Sequence, residues 1–517
     1  MPFAVSCSPV TGGPRPGAAP MSEGVREHAA RTPHAVALRD STGAELTFAA
    51  VDLAVDRLVS LLRAHAVRPG DRLCWVLHNR VEVLLLALAA QRLGALTVPL
   101  SYRASPGEFE RMLAVARPRV LVVERTTAKL VPAAATTCPR LDLDDPSTDP
   151  ASWPVGERTG EPGGTNRLGA GSSLIFTSGT TGSPKAAVRT RGDRALAEAI
   201  ARGFGIGGGS RFLSAGPLYH SGPLTCALMV LAKGGAVTVL PRFDSHDWLA
   251  AAIRDDCDGA FLTPSQLRAI VEVAEQGGKN PASLRNVVVS GEPFPGELKR
   301  RAVAAFGPVF LDCYGCTELG PLTVLPAAEL LRSPRSCGRP FPGVTVRAFD
   351  GDRELGPGER GVLRARTPLS FVAYRGASGD HPAEAAGGWA TVGDIGYLDE
   401  RGYVYVVDRG NDLIISGGVN VYPADVEAVL LEHPVIRQCA VVGVPDERWG
   451  EAVCATVVTS TDLTVDQLRT WLIGRLADDK RPRRLVRVAE LPVNGTGKVS
   501  RRLVRDLLAT RPEPRVR

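Results

Sequence analysis

Apolar residues recur at helical spacing from Val51 to Ala66 and run almost unbroken from Val81 to Leu93, so both stretches predict buried-face helices, the second closing at Gly94. Arg72–Leu77 and Ala95–Leu100 are shorter apolar runs of strand length. The alternation returns farther along. Ser173–Thr177, Ala236–Leu240, Gly259–Thr263 and Asn286–Ser290 read as strands, with helices over Trp248–Arg254 and Ser265–Glu275. Such alternation predicts the α/β class, with open sheets covered on both faces by helices. From about 338 to 408 the pattern changes to short strands with frequent glycine turns, at Val344–Asp350, Gly361–Arg366 and Gly402–Asp408, which suggests a β-rich subdomain. After Arg409-Gly410-Asn411-Asp412 the pattern starts afresh. Helices are expected over Pro423–His433 and Val465–Leu476, and strands over Gln438–Val444, Val453–Thr459 and Leu485–Val488. The expected organisation is a Pro- and Gly-rich disordered leader (1–20), a large N-terminal core (21–410) and a small C-terminal α+β domain (411–517).

Composition narrows the class. Apolar residues make up 44% and charged residues 22%, ordinary values for a globular protein. A net charge of +6 over 517 residues is too weak to call for a nucleic-acid partner, and 5% aromatics offer few stacking platforms for bases. The 10 cysteines are scattered without a disulfide framework, which fits a reducing cytoplasm. The most apolar run, Val83–Ala90, is far short of the ~20 residues a membrane span needs.

The sharpest chemical signal is Phe176-Thr177-Ser178-Gly179-Thr180-Thr181-Gly182-Ser183-Pro184-Lys185. Its glycines allow a tight loop, its hydroxyls and backbone N–H groups suit phosphate oxygens, and Lys185 adds a mobile cation. It is not a Walker loop, because Pro184 biases Ser183 away from helix. The run resembles the phosphate loop of the adenylate-forming superfamily, which comprises acyl-CoA synthetases, adenylation domains of peptide synthetases and luciferases. The other motifs of that superfamily follow in order to about residue 505, and the match is nearest to the acyl-CoA synthetases.

What the resemblance implies can be placed residue by residue. In Tyr314-Gly315-Cys316-Thr317-Glu318 the tyrosine covers adenine and Glu318 holds Mg²⁺, while Ser290-Gly291-Glu292 lines the other side of the base. Asp394, after Val392-Gly393 where the family usually has Thr-Gly, takes the ribose hydroxyls, and Arg409 adds a ribose or phosphate contact. Asn411 stands at the pivot, where the family carries aspartate or lysine. Ser416-Gly417-Gly418 passes close to the pantetheine arm of CoA. Lys498, in Leu491-Pro492-Val493-Asn494-Gly495-Thr496-Gly497-Lys498, contacts the carboxylate and α-phosphate during adenylation. Pro217-Leu218-Tyr219-His220 borders the acyl site, His220 gating it and Tyr219, Ser221, Leu224, Phe261 and Thr263 lining it. Ser221 replaces the aspartate of amino-acid-activating relatives, so no charge there would balance a buried α-ammonium.

The expected activity is therefore an AMP-forming acid:CoA ligase. It uses ATP, Mg²⁺ and CoA and activates a bulky or medium-to-long apolar acid. The alternatives are an aryl-acid ligase and a stand-alone adenylation enzyme that loads an acyl carrier protein.

Overall fold

The computed structural model describes residues 20–135, 137–145, 172–177, 185–189, 193–369, 373–376, 379–382, 388–391, 393–409, 412, 414–416, 419–446, 449–493 and 499–510. Among these, four sheets form the frame, of nine, eight, five and five strands. In the nine-stranded sheet the strands Phe310–Cys316, Asn286–Ser290, Gly259–Leu262, Arg211–Ser214 and Ala236–Val239 lie side by side and parallel. In the eight-stranded sheet Ser173–Thr177, Leu96–Pro99, Arg72–Val76 and Val120–Val123 do the same. A parallel strand must be reached by a crossover; the predicted helices at Val81–Leu93, Ser245–Arg254 and Pro264–Glu275 supply some of them, and helices at Pro106–Ala116, Ser221–Ala232 and Gly296–Phe306, which the pattern does not announce, supply others.

The helix Val81–Leu93 explains its unbroken apolar run. It packs against the helices Met21–Arg31, Phe48–Ala64 and Ser221–Ala232, and Val83 to Ala90 are all buried. Each buried valine or leucine among them contributes about 1.5–3 kcal/mol relative to exposure. Gly94 ends the helix in the left-handed conformation, at φ +67°. Arg92, at the last turn, is buried against Asp56 at 2.6 Å and against Asp52. No helix among the described residues is long and apolar enough to cross a membrane.

The structure departs from the pattern in three places. Segment 338–408 does not form one sheet. Its strands Thr345–Asp350, Arg353–Glu354, Gly361–Arg366, Asp394–Leu398 and Val404–Arg409 build a five-stranded sheet. Arg339–Pro340 instead pairs with Gly320–Leu325 of the nine-stranded sheet. Ala373–Gly376 joins the eight-stranded sheet through Ala373 opposite Val188. Strand periodicity does not encode which sheet a strand joins. Second, the helix Val465–Trp471 stops five residues before the expected Leu476; Gly474 follows in a left-handed turn at φ +77°. Third, Pro106–Ala116 is a helix with a full capping box between Ser105 and Glu108.

The C-terminal sheet orders Val419–Val421, Ile414–Ser416, Gly450–Thr459 and Ile436–Asp446, with Arg484–Arg487 against Gly450–Thr459. It meets the β-rich sheet where the Arg360 guanidinium pairs with Asp425 at 3.1 Å and lies over the Tyr422 ring at 5.2 Å.

Candidate active site

Parallel strands end on one side, and in an open α/β sheet the crevice outside their carboxyl ends receives ligands. Four neighbouring strands of the nine-stranded sheet deliver predicted site residues to that edge. Arg211–Ser214 runs into Tyr219 and His220, Gly259–Leu262 carries Phe261 and ends before Thr263, Asn286–Ser290 ends before Gly291 and Glu292, and Phe310–Cys316 carries Tyr314 and Gly315. Neighbouring strands lie about 4.8 Å apart, so the sheet brings residues as distant in the chain as Tyr219 and Tyr314 to one edge.

At the nucleotide end, the Tyr314 hydroxyl donates to Asp394 Oδ2 at 2.6 Å. This bond ties the sheet edge to the β-rich subdomain and joins two residues 80 positions apart. Burial and the Asp394 carboxylate push the Tyr314 phenol well above its ordinary value, so it remains a neutral donor. Gly315 is required by space: a Cβ there would sit 2.4 Å from the Gly320 carbonyl oxygen across a bulge in the pairing. Beside Tyr314, the Ser290 hydroxyl donates to the Cys313 carbonyl at 2.7 Å. Glu292 accepts from the Ser265 N–H and hydroxyl at 3.0 and 2.6 Å, which fixes the turn after Gly291. Cys313 and Cys316 belong to the same edge. Burial raises both thiols, Cys316 to about 12, and among the described residues no cluster of metal-ligating side chains includes them.

Glu318 is 9% exposed, just beyond half-buried Thr317. Arg189 lies beside it. Burial pushes that guanidinium below its ordinary value, while Cys316 and Glu318 oppose the shift.

At the acid end, Tyr219 is buried and its ring lies 4.4 Å from that of His220, which precedes the helix Ser221–Ala232. Desolvation raises the Tyr219 phenol. Ser221 opens the helix and Leu224 is buried one turn on. The Phe261 ring packs on the first turn of this helix; a Cβ at Gly222 would come within 2.7 Å of its Cζ. Thr263 uses its hydroxyl to cap the following helix, accepting from Gln266 N at 3.3 Å.

Thr177 and Lys185, at the two ends of the phosphate motif, face each other across an antiparallel strand pair. Ser178, Gly179, Thr180, Thr181 and Gly182 lie outside the described residues, as do Asn411, Gly417, Gly418 and Lys498. The flanks of the last two motifs are described. Arg409 pairs with Asp394 in the β-rich sheet. On the other flank, Asp412 is bound by Arg501 at 3.2 Å and Arg505 at 2.6 Å from the C-terminal helix Arg501–Ala509. Ser416 is buried opposite Gly450.

Three contributors escaped sequence reading: Arg189 beside Glu318, the Arg501–Asp412 anchor, and Asn79, whose partners lie in the turn before His220. No local motif announces them, because each acts on a residue far away in the chain.

This α/β edge, with Tyr314 bound to Asp394 and the Gly/Ser/Thr-rich run set between paired strands, is that of an adenylate-forming enzyme. The chain belongs to the AMP-binding enzyme family: the family model matches residues 25–375, and that of the AMP-binding enzyme C-terminal domain matches 425–498. It is 34% identical over 490 residues to feruloyl-CoA synthase of Amycolatopsis sp, covering 92% of this chain and 96% of that one. It is 32% identical over 504 residues to indoleacetate–CoA ligase of Aromatoleum aromaticum, covering 95% and 98%. It superposes on o-succinylbenzoate CoA synthetase of Bacillus subtilis in complex with an acyl-adenylate intermediate with a TM-score of 0.84, at 28% identity and over 96% and 99% of the two chains.

Proposed function

We propose that this chain is an ATP- and Mg²⁺-dependent acid:CoA ligase acting on a neutral, bulky apolar acid with an aryl-bearing tail. One observation carries the reading: the nucleotide end and the acid end share a single sheet edge, with Tyr314 bound to Asp394 at one side and Tyr219–His220 at the other. The aryl preference rests on the Tyr219 and Phe261 rings flanking the acid end and on the aryl acids in the names of the two relatives.

Adenine stacks on Tyr314 between that ring and the Ser290–Glu292 turn, and Asp394 accepts from the ribose hydroxyls. Thr177–Gly182, Lys185 and Arg409 hold the phosphates. Glu318 suits Mg²⁺: it is a buried carboxylate, and this ion takes one or two carboxylates and completes its shell from water and substrate phosphates, whose charge it neutralises. Lys498 places a cation between the acid carboxylate and the α-phosphate. The carboxylate oxygen attacks phosphorus, the bond to the β-phosphate oxygen breaks, and pyrophosphate leaves. The C-terminal domain then turns about Asn411. Arg409 is fixed to one body and Asp412 to the other, so Gly410 and Asn411 are the two residues between anchors. With Ser416–Gly418 beside the pantetheine arm, the CoA thiol attacks the acyl carbon, loses its proton and expels AMP.

The Tyr314–Asp394 bond gives a test of the nucleotide end. A hydrogen bond to a charged group contributes about 1.5–3 kcal/mol, so Tyr314→Phe is expected to raise KM for ATP about tenfold while KM for the acid stays within twofold. Equal shifts in both would remove Asp394 from the ribose.

The reaction itself is tested by product mass. The enzyme is given ATP, Mg²⁺ and hydroxycinnamic, arylacetic, alicyclic and fatty acids, with and without CoA. Acyl-CoA from the aryl acids is the expected result. Acyl-AMP that ignores CoA would transfer the reading to carrier-protein loading, and acyl-CoA from fatty acids alone would overturn the aryl assignment.

A further inference from the structure

Asn79 is 6% exposed and follows the strand Arg72–Val76 of the eight-stranded sheet, yet its amide is committed to the other large sheet. Its Nδ2 donates to the Gly216 carbonyl at 2.8 Å, with the Ala215 carbonyl at 3.5 Å, and its Oδ1 accepts from Leu218 N at 2.8 Å. One planar amide therefore satisfies a donor and an acceptor of the same turn, the one that leaves the strand Arg211–Ser214 and leads to Tyr219 and His220. Its neighbour works on the same target. The His78 ring lies 4.3 Å from Tyr102, and Tyr102 meets Tyr219 edge-on at 5.3 Å. The turn has little latitude, since a Cβ at Gly216 would come within 2.9 Å of Pro223 Cγ, and His220 N donates to the Pro217 carbonyl at 3.0 Å.

We propose that Asn79 is a positioning residue for the acid half of the reaction: its amide clamps the 215–218 turn so that Tyr219 and His220 stand at fixed height over the acid. Only a side chain that donates and accepts in one plane fits this place. The clamp touches neither nucleotide residue on the sheet edge, so its loss falls on the acid and spares ATP. The inference rests on reading Tyr219–His220 as the wall of the acid site.

The test is ATP–pyrophosphate exchange, with acid and ATP varied separately, in Asn79→Ala, Asn79→Ser and, as a control for the wall, His220→Ala. For Asn79→Ala the expected result is a drop of about 30-fold in kcat/KM for the acid with KM for ATP within twofold. Asn79→Ser keeps one polar group and is expected to lose about threefold to tenfold; it carries the test if the alanine variant does not fold. Parallel losses in acid and ATP parameters would mark Asn79 as merely structural and overturn the proposal. If His220→Ala lowers acid kcat/KM while the Asn79 variants leave it unchanged, the clamp fails and the wall stands. If His220→Ala changes nothing, the wall reading fails and takes the clamp with it.

Discussion

Replacing Lys498 with alanine is expected to lower ATP–pyrophosphate exchange at least about a hundredfold while sparing the second half-reaction. The reasoning begins with charge. As the carboxylate approaches the α-phosphate, negative charge gathers on oxygens already crowded by the phosphate chain, and a placed cation lowers that barrier by about 3 kcal/mol. The base of the Lys498 loop is built to place one. Val493 and Val499 bridge across it, Ser500 N donates to the Pro492 carbonyl at 3.0 Å, and the helix Arg501–Ala509 begins directly after, capped by the Ser500 hydroxyl. That helix is locked through Arg501 to Glu427 at 2.8 Å and to Asp412. The residues on either side of the lysine's loop, Val493 and Val499, are thus anchored in the C-terminal domain. Once the acyl-adenylate exists, no attack on the α-phosphate remains for this cation to assist. Synthetic acyl-AMP supplied with CoA is expected to give thioester at a rate within a few-fold of the unmodified enzyme. Exchange that survives the substitution at full rate would remove Lys498 from the mechanism; equal losses in both half-reactions would make its role structural.

How much of this was legible follows from where the information resides. The Thr177–Lys185 run suggests phosphate chemistry by residue type, and Tyr314 to Glu318 takes its expected nucleotide role from the family resemblance. Strands such as Asn286–Ser290 and Gly361–Arg366 fall where the apolar runs put them, since a buried strand needs little beyond such a run. What the sequence hides is pairing across distance. Asn79 looks like an ordinary polar residue before a helix, and its partners lie 137 and 139 positions away. Arg189 reads as one more basic residue until the fold sets it beside Glu318. The strand Ala373–Gly376 shows its type but not its sheet, because the choice depends on an edge left open by Lys185–Arg189. Ser105 and Glu108 show the opposite case, a local signal fully spelled in the chain that needs no tertiary contact.

Lys299 is the strongest instance of hidden pairing, and it sets the largest expected stability loss. In sequence it begins the run Lys299-Arg300-Arg301 and reads as part of a solvated face. In the structure it is 1% exposed, with Nζ 2.6 Å from Asp312 Oδ2, donating to the Ser336 carbonyl at 3.0 Å and lying 5.2 Å from the Phe294 ring. Asp312 is two residues before Tyr314 on the same strand, so the pair braces the strand that carries Tyr314. Burial already pushes the Asp312 carboxyl above its ordinary value, with Lys299 holding it down. Lys299→Met removes that restraint and leaves a buried carboxylate without its cation, which costs about 3–5 kcal/mol at neutral pH. The sign with pH follows from the direction of the shift. A carboxyl whose folded pKa lies above its unfolded value, about 3.9, loses stability as pH rises through the folded pKa. The deficit of Lys299→Met relative to the unmodified chain is therefore expected to be small near pH 5 and to widen toward pH 8, read as the separation of their urea midpoints. Adding Asp312→Leu removes the stranded charge and is expected to restore most of the loss and to flatten its pH dependence. A deficit under about 1 kcal/mol, or one that stays constant from pH 5 to 8, would show that Asp312 is not held ionised against its burial by Lys299.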